Sequence, residues 1–256
     1  MTYRWAGRWL QACVGIGLAL ALGGAARAEE PGGAAGLPVE QIEKIVRDYL
    51  MREPELIYQA LEELQRRQAA AEVERQRAAI AANREQLIND AGDPVAGNPD
   101  GNVTLVEFFD YQCSYCRQVV QTVRELVDED QELKVVFKEF PILGEASVIA
   151  ARAALAAREQ DRYLPFHFAL MGTRDLSLDG IMKLAEQVGL DTERLAREMH
   201  APAIDQQLRE NFALAQELGI EGTPAFVLGE EVVPGAVDKR RLAGLVEEAR
   251  ANCLTC

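Results

Sequence analysis

Residues 103–116 read Val103-Thr-Leu-Val-Glu-Phe-Phe-Asp-Tyr-Gln-Cys-Ser-Tyr-Cys116, an apolar run ending in two cysteines separated by two residues. After them Val119, Val120, Val123, Leu126 and Val127 recur at helical spacing. A strand therefore leads into a helix whose first turn carries Cys113. Helix N-termini present unpaired N–H groups and a dipole that favours negative charge. A thiol in that position ionises more readily, and the thiolate is the reactive species. The motif reads as a dithiol/disulfide redox site. Half of a zinc site and a structural disulfide share the same spacing.

The chain has 256 residues, enough for one large domain or two small ones, and its 48% hydrophobic content supports a real core. A net charge of −14 argues against nucleic acid as a partner, because phosphate binding needs a basic face.

The first 28 residues stand apart. Arg4 and Arg8 precede an apolar stretch from Trp9 to Leu22, about 14 residues, too short to span a bilayer comfortably. Ala26-Arg27-Ala28 offers a small-x-small cleavage site. Residues 1–28 read as a secretory signal peptide cleaved after Ala28, with a retained membrane anchor as the alternative. Cleavage removes three arginines and no acids, taking the charge from −14 to −17.

Export places the mature chain where disulfides persist. It keeps Cys113, Cys116, Cys253 and Cys256, as two C-x-x-C pairs. In a zinc ribbon such pairs lie about 15–20 residues apart, whereas here well over a hundred residues separate them. The two histidines, His167 and His200, do not pair at ligand spacing. Zinc is the minor reading for Cys113 and Cys116.

Residues 29–38 form a Gly- and Pro-containing leader. Ile42, Ile45, Val46 and Leu50 then share one face of a short helix. Pro54 suits the first turn of a second helix, striped by Leu56, Ile57, Ala60, Leu61 and Leu64. From Gln65 the stripe thins to Val73, Ile80 and Leu87, every seventh residue between charged flanks, and the helix is expected to end near Asn89-Asp90. A narrow seam of this kind suits helix association between chains; a solvent-exposed spacer is the alternative. Residues 39–90 are therefore read as an oligomerisation segment.

Ala91–Gly101, rich in Gly and Pro, reads as a linker or leading loop. Strands at 103–109 and 133–140 flank the cysteine helix, a β-α-β unit with a right-handed crossover. This places the cysteines at the carboxyl end of a strand, where open α/β sheets carry their sites. Residues from about 144 to 218 read as a helical insertion. Ala225–Leu228 and Val232–Ala236 form an antiparallel pair across a Gly229 turn, and a helix over 238–250 closes the domain. The fold class is α/β, with the domain spanning 91–256 and a C-terminal C-x-x-C tail at 251–256.

Strand, C-x-x-C helix, strand, helical insert, Thr223-Pro224, hairpin and final helix together resemble the thioredoxin fold, in its DsbA-like branch of exported thiol-disulfide oxidoreductases. The stretch from Ile42 to Gln68, with Pro54-Glu-Leu-Ile-Tyr-Gln-Ala-Leu, resembles the N-terminal oligomerisation region of the suppressor-of-copper-sensitivity protein C (ScsC) family. The resemblance implies a periplasmic protein with Cys113 as exposed nucleophile and Cys116 as resolving thiol. It implies a cis Pro224 facing them, and Thr223 pairing with substrate backbone beside Ser114 and Tyr115. It further implies a proton relay to Cys116 through Glu107, with Lys138 as basic partner on the neighbouring strand; an ordinary surface pair at a sheet edge is the alternative. No cofactor beyond the redox-active disulfide is implied. The implied partners are misfolded or reduced exported proteins, a membrane thiol reductase of the DsbD or ScsB type, and further copies of the chain, with a trimer favoured.

Direction is a separate question. Ser114-Tyr115 places no cation between the cysteines, and Thr223 before the proline resembles isomerases and reductases more than DsbA oxidases. Both lean toward a disulfide isomerase or reductase; a DsbA-like oxidase is the alternative. A different class is a copper-binding or metal-sequestering protein, motivated by Cys253-Leu-Thr-Cys256, since soft thiolates take Cu(I) or zinc. A small structural disulfide and an accessory redox pair are the other readings of that tail.

Overall fold

The computed structural model describes residues 37–252. The expected signal peptide, most of the leader, and Cys253 and Cys256 lie outside the described residues. The chain divides into two units between Ala60 and Leu61. No helix among the described residues is long and apolar enough to cross a membrane.

The first unit holds α1 (Val39–Arg52) and the start of α2 (Glu55–Ala82). The apolar face expected on α1 is present, yet none of its residues is buried. Ile42, Ile45, Val46 and Tyr49 each remain about half exposed.

The second unit is built on a five-stranded sheet. In chain order it contains the rest of α2, then α3 (Arg84–Ile88), β1 (Val95–Gly97), β2 (Val103–Phe109), α4 (Ser114–Glu129) and β3 (Leu133–Glu139). The helical insertion follows: α5 (Glu145–Ala156), a 3-10 turn at 157–160, α6 (Tyr163–Gly172), α7 (Leu178–Gln187), α8 (Thr192–Glu198) and α9 (Pro202–Glu217). β4 (Ala225–Leu228), β5 (Glu231–Pro234) and α10 (Lys239–Asn252) complete it. The strand order is β1-β3-β2-β4-β5. β2 and β3 run parallel, as the β-α-β reading requires, and the other pairs are antiparallel.

Side chains alternate across a strand, so the two faces of β2 build two cores. Val103, Leu105 and Phe109 join α4, α10 and the insertion in the larger core. Val106 and Phe108 join Leu214, Leu218 and Ile220 in the smaller one, together with Ile80 and Leu87.

Three expectations change here. The Gly/Pro-rich stretch before β2 is more than a linker, because Val95–Gly97 forms an edge strand on β3. The long helix stops at Ala82 rather than near Asn89. At the break, Asn83 donates its side-chain amide to Ala79 O (3.0 Å) and to Glu217 (2.8 Å), and such local bonds compete with helix continuation. The seven-residue seam is divided as well. Val73 is 46% exposed, whereas Ile80 and Leu87 are 3% and 1% exposed and pack on their own sheet. Their apolar demand is met within the chain, so they are not interface residues between chains.

Leu87→Ala is expected to cost roughly 2–5 kcal/mol in urea denaturation, as for other buried leucines. Val73→Ala, at an exposed position, should stay within about 0.5 kcal/mol.

Candidate active site

Phe109 ends β2, and a four-residue turn carries the chain to α4. Cys113 is the N-cap of that helix rather than a first-turn residue; its φ and ψ are −67° and 116°. The Cys116 N–H points at Cys113 Sγ (3.3 Å), giving the sulfur a donor at the positive end of the helix dipole. Cys113 Sγ donates to the Thr223 carbonyl (3.2 Å). The Thr223–Pro224 peptide is cis, and Pro224 O accepts from Gly235 N (2.8 Å). The hairpin of β4 and β5 thus presents Thr223 and Pro224 against the nucleophile.

Both cysteines are free thiols. Cys116 is fully buried. Burial first, then its contact with Cys113 and the charge of Glu107, push its thiol far above the ordinary range. Cys113 is not the exposed group expected, being only 5% exposed. The Thr223 carbonyl and the first turn of α4 cover it. Ser114 and Tyr115 are exposed, leaving the outer rim of the motif open to a partner.

Glu107 and Lys138 do not form a pair. In the β2–β3 register Glu107 lies opposite Phe137, and Lys138 lies opposite Phe108. Residues opposite each other share a face, and neighbours alternate. Glu107 therefore shares the α4 face with Leu105 and Phe109, while Lys138 points through the other side. There Lys138 forms a buried ion pair with Asp93 and donates to Gln86 O (2.5 Å). Gln207 donates to the same Asp93 carboxylate (2.9 Å). The placement of Lys138 as a relay partner is thereby corrected: it anchors the segment before β1. Both residues are buried, on central strands rather than at an edge.

Glu107 is buried, and burial raises its carboxyl to about 8. A carboxyl poised near neutral pH beside a thiol that must ionise to attack can accept its proton.

A second buried polar group borders the site. Tyr111 and Tyr163 both donate to Glu139 Oε1 (2.9 Å each), and Tyr111 Oη lies 3.1 Å from His167 Nδ1. His167 packs among Phe109, Phe137 and Tyr163, and burial lowers its imidazole to about 3, so it stays neutral. Arg117 of α4 donates to Tyr111 O (2.7 Å). These residues fix the turn that delivers Cys113. Among the described residues no cluster of three or more His, Cys, Asp or Glu is arranged to hold a metal ion.

The pH dependence of stability tests Glu107. Its folded value lies above its ordinary 4.5, so its contribution is complete below that pH and is lost as pH rises through about 8. Glu107→Gln, which is always neutral, should gain stability over the parent from about pH 5 to pH 8 in urea titrations. An equal difference at both ends contradicts the assignment. Lys138→Met should lower stability by about 3–5 kcal/mol by leaving Asp93 unpaired, with dithiol exchange in the folded protein unaltered.

Comparison with known proteins agrees with this geometry. The DSBA-like thioredoxin domain family matches residues 104–247, and the copper resistance protein ScsC N-terminal domain matches residues 39–71. A thioredoxin-like oxidoreductase from Silicibacter pomeroyi is 49% identical, covering 67% of this chain and 99% of that one, with a TM-score of 0.65. Proteus mirabilis ScsC in a transitional conformation is 30% identical, covering 85% of this chain and 100% of that one, with a TM-score of 0.64. The Na(+)/H(+) antiporter NhaA of Herminiimonas arsenicoxydans is 28% identical over 165 residues, which is 64% of this chain and 26% of that protein. The chain thus spans about a quarter of the length of the first curated relatives it matches. With its dithiol at the N-terminus of α4 and Pro224 against it, the chain belongs to the DsbA-like thioredoxin family of thiol-disulfide oxidoreductases and carries an ScsC-type N-terminal segment.

Proposed function

We propose that the protein is a periplasmic disulfide isomerase and reductase acting on exported proteins, held reduced by a membrane thiol reductase. The observation that carries the direction is the pair between the cysteines. Ser114 and Tyr115 bring no cation to the thiolate, and a less stabilised thiolate makes a less oxidising couple. Thr223 before Pro224 leans the same way. The periplasm follows from the signal-like residues 1–28 and from the cysteine usage.

The exchange runs as follows. The Cys113 thiolate attacks one sulfur of a substrate disulfide, forming a mixed disulfide and releasing a substrate thiolate. In isomerisation that thiolate attacks another substrate disulfide, a substrate thiolate finally displaces Cys113, and no net electrons move. In reduction, Cys116 gives its proton to the ionised form of Glu107 and attacks Cys113 Sγ as a thiolate. The second substrate thiolate leaves and the Cys113–Cys116 disulfide forms, so two electrons pass to the substrate.

The uncovered apolar face of α1, with exposed Leu56, Ile57, Leu61 and Leu64 on α2, supports self-association. A homotrimer through these helices sets several dithiols around one misfolded substrate.

Incubation of the reduced full-length protein with scrambled ribonuclease is expected to restore ribonuclease activity at catalytic amounts. No rescue, together with rapid oxidation of reduced ribonuclease by the disulfide form, would instead make the protein an oxidase.

A further inference from the structure

Asp110 follows the last residue of β2 and is 1% exposed. Its carboxylate accepts four hydrogen bonds. Oδ1 receives Gln112 N (2.7 Å) and Ser147 Oγ (2.7 Å). Oδ2 receives Ile142 N and Leu143 N (2.9 Å each). All four come from donors, three of them peptide N–H groups. Ser147 Oγ also accepts from Gln112 Nε2 (2.8 Å), which leaves its own proton for Asp110. The set is that of an ionised carboxylate. No ion pair reaches it among the described residues.

One side chain therefore stitches together the turn before Cys113, the loop after β3, and the first turn of α5. The backbone continues the stitching. Cys113 N donates to Asp110 O (3.1 Å), and Phe140 N donates to Phe109 O (2.9 Å). Gly144 turns the loop into α5 with φ of 130°, a conformation that favours glycine. Gln112 Nε2 adds a bond to Leu143 O (3.3 Å).

We propose that Asp110 is a positioning residue for the dithiol: its hydrogen bonds fix Cys113 at the N-cap of α4 and hold a buried negative charge, with no cation paired to it, three residues before the nucleophile. The charge works because little water screens it. It acts without touching the substrate. The other titratable and charged groups near the dithiol are Glu107 on β2, Glu139 on β3, Tyr111, Tyr163 and His167 of α6, and Arg117 of α4. Of these only Arg117 is a cation, and its contact is with Tyr111 O. The proposal requires dithiol exchange by the family, not the direction proposed above. A wild-type couple as oxidising as a strong oxidant would overturn that direction and leave the effect of Asp110 to be read from the difference between variants.

The test is Asp110→Asn in the full-length protein, with two readouts. The first is the pH midpoint of Cys113 alkylation by iodoacetamide. The second is the equilibrium of the Cys113–Cys116 couple against glutathione. The midpoint should fall, and the equilibrium should move toward the dithiol by about tenfold, the effect of one pKa unit. A loss of thermal stability with both readouts unchanged would reduce Asp110 to a structural residue and overturn the proposal, as would shifts in the opposite sense. Should Asp110→Asn fail to fold, Ser147→Ala keeps the charge and removes one donor to it. That variant should move the alkylation midpoint upward; an unchanged or lower midpoint would likewise overturn the proposal.

Discussion

β2 is paired on both sides and covered on both faces, and the rest of the molecule is fitted around it. All seven of its residues are buried. A strand so placed has no edge and no solvent face, so the parity of each residue settles its neighbours. Odd positions look toward α4 and even positions toward the end of α2, α3 and α9. The dithiol sits where this strand stops, and its turn is held by the loop that ends the parallel neighbour β3. Burial, register and site geometry are thus consequences of one set of backbone hydrogen bonds.

Acids, rather than cations, line the inner side of the dithiol. Glu107, Asp110 and Glu139 are each nearly inaccessible to water. They are handled in three different ways. Burial raises the Glu107 carboxyl to about 8, so it exchanges its proton near neutral pH. Asp110 is solvated by four protein donors. Glu139 is pushed up by burial and shared between two tyrosine hydroxyls. A buried charge that is neither paired nor hydrogen-bonded is prohibitive, and each of the three meets that constraint by its own route.

Much of this was legible in the sequence wherever the signal is local. The β-α-β unit, the C-x-x-C at a helix start, the run of insertion helices and the closing hairpin follow from periodicity and turn residues within a few positions. What depended on distant partners was not legible. Lys138 is one residue out of phase with Glu107 across two strands, and a one-residue difference sends a side chain through the sheet. β1 is three residues long inside a Gly/Pro-rich stretch and gains its identity only from β3. The donors to Asp110 come from as far away as Ser147, so the three residues between β2 and Cys113 look like an ordinary turn. A heptad seam at Val73, Ile80 and Leu87 reads alike whether its cover is another chain or its own sheet. Glu139 and His167 did leave a trace, as polar residues inside stretches otherwise apolar, the pattern of a satisfied buried group.

None of residues 37–79 is buried; the core begins at Ile80. Ile80, near the C-terminal end of α2, and Leu87 close the smaller core from within the chain. The stretch before Ile80 is an attachment in the evolutionary sense: its residues can change without replacing a fully buried side chain. The surface of that stretch and the dithiol chemistry can then drift at independent rates.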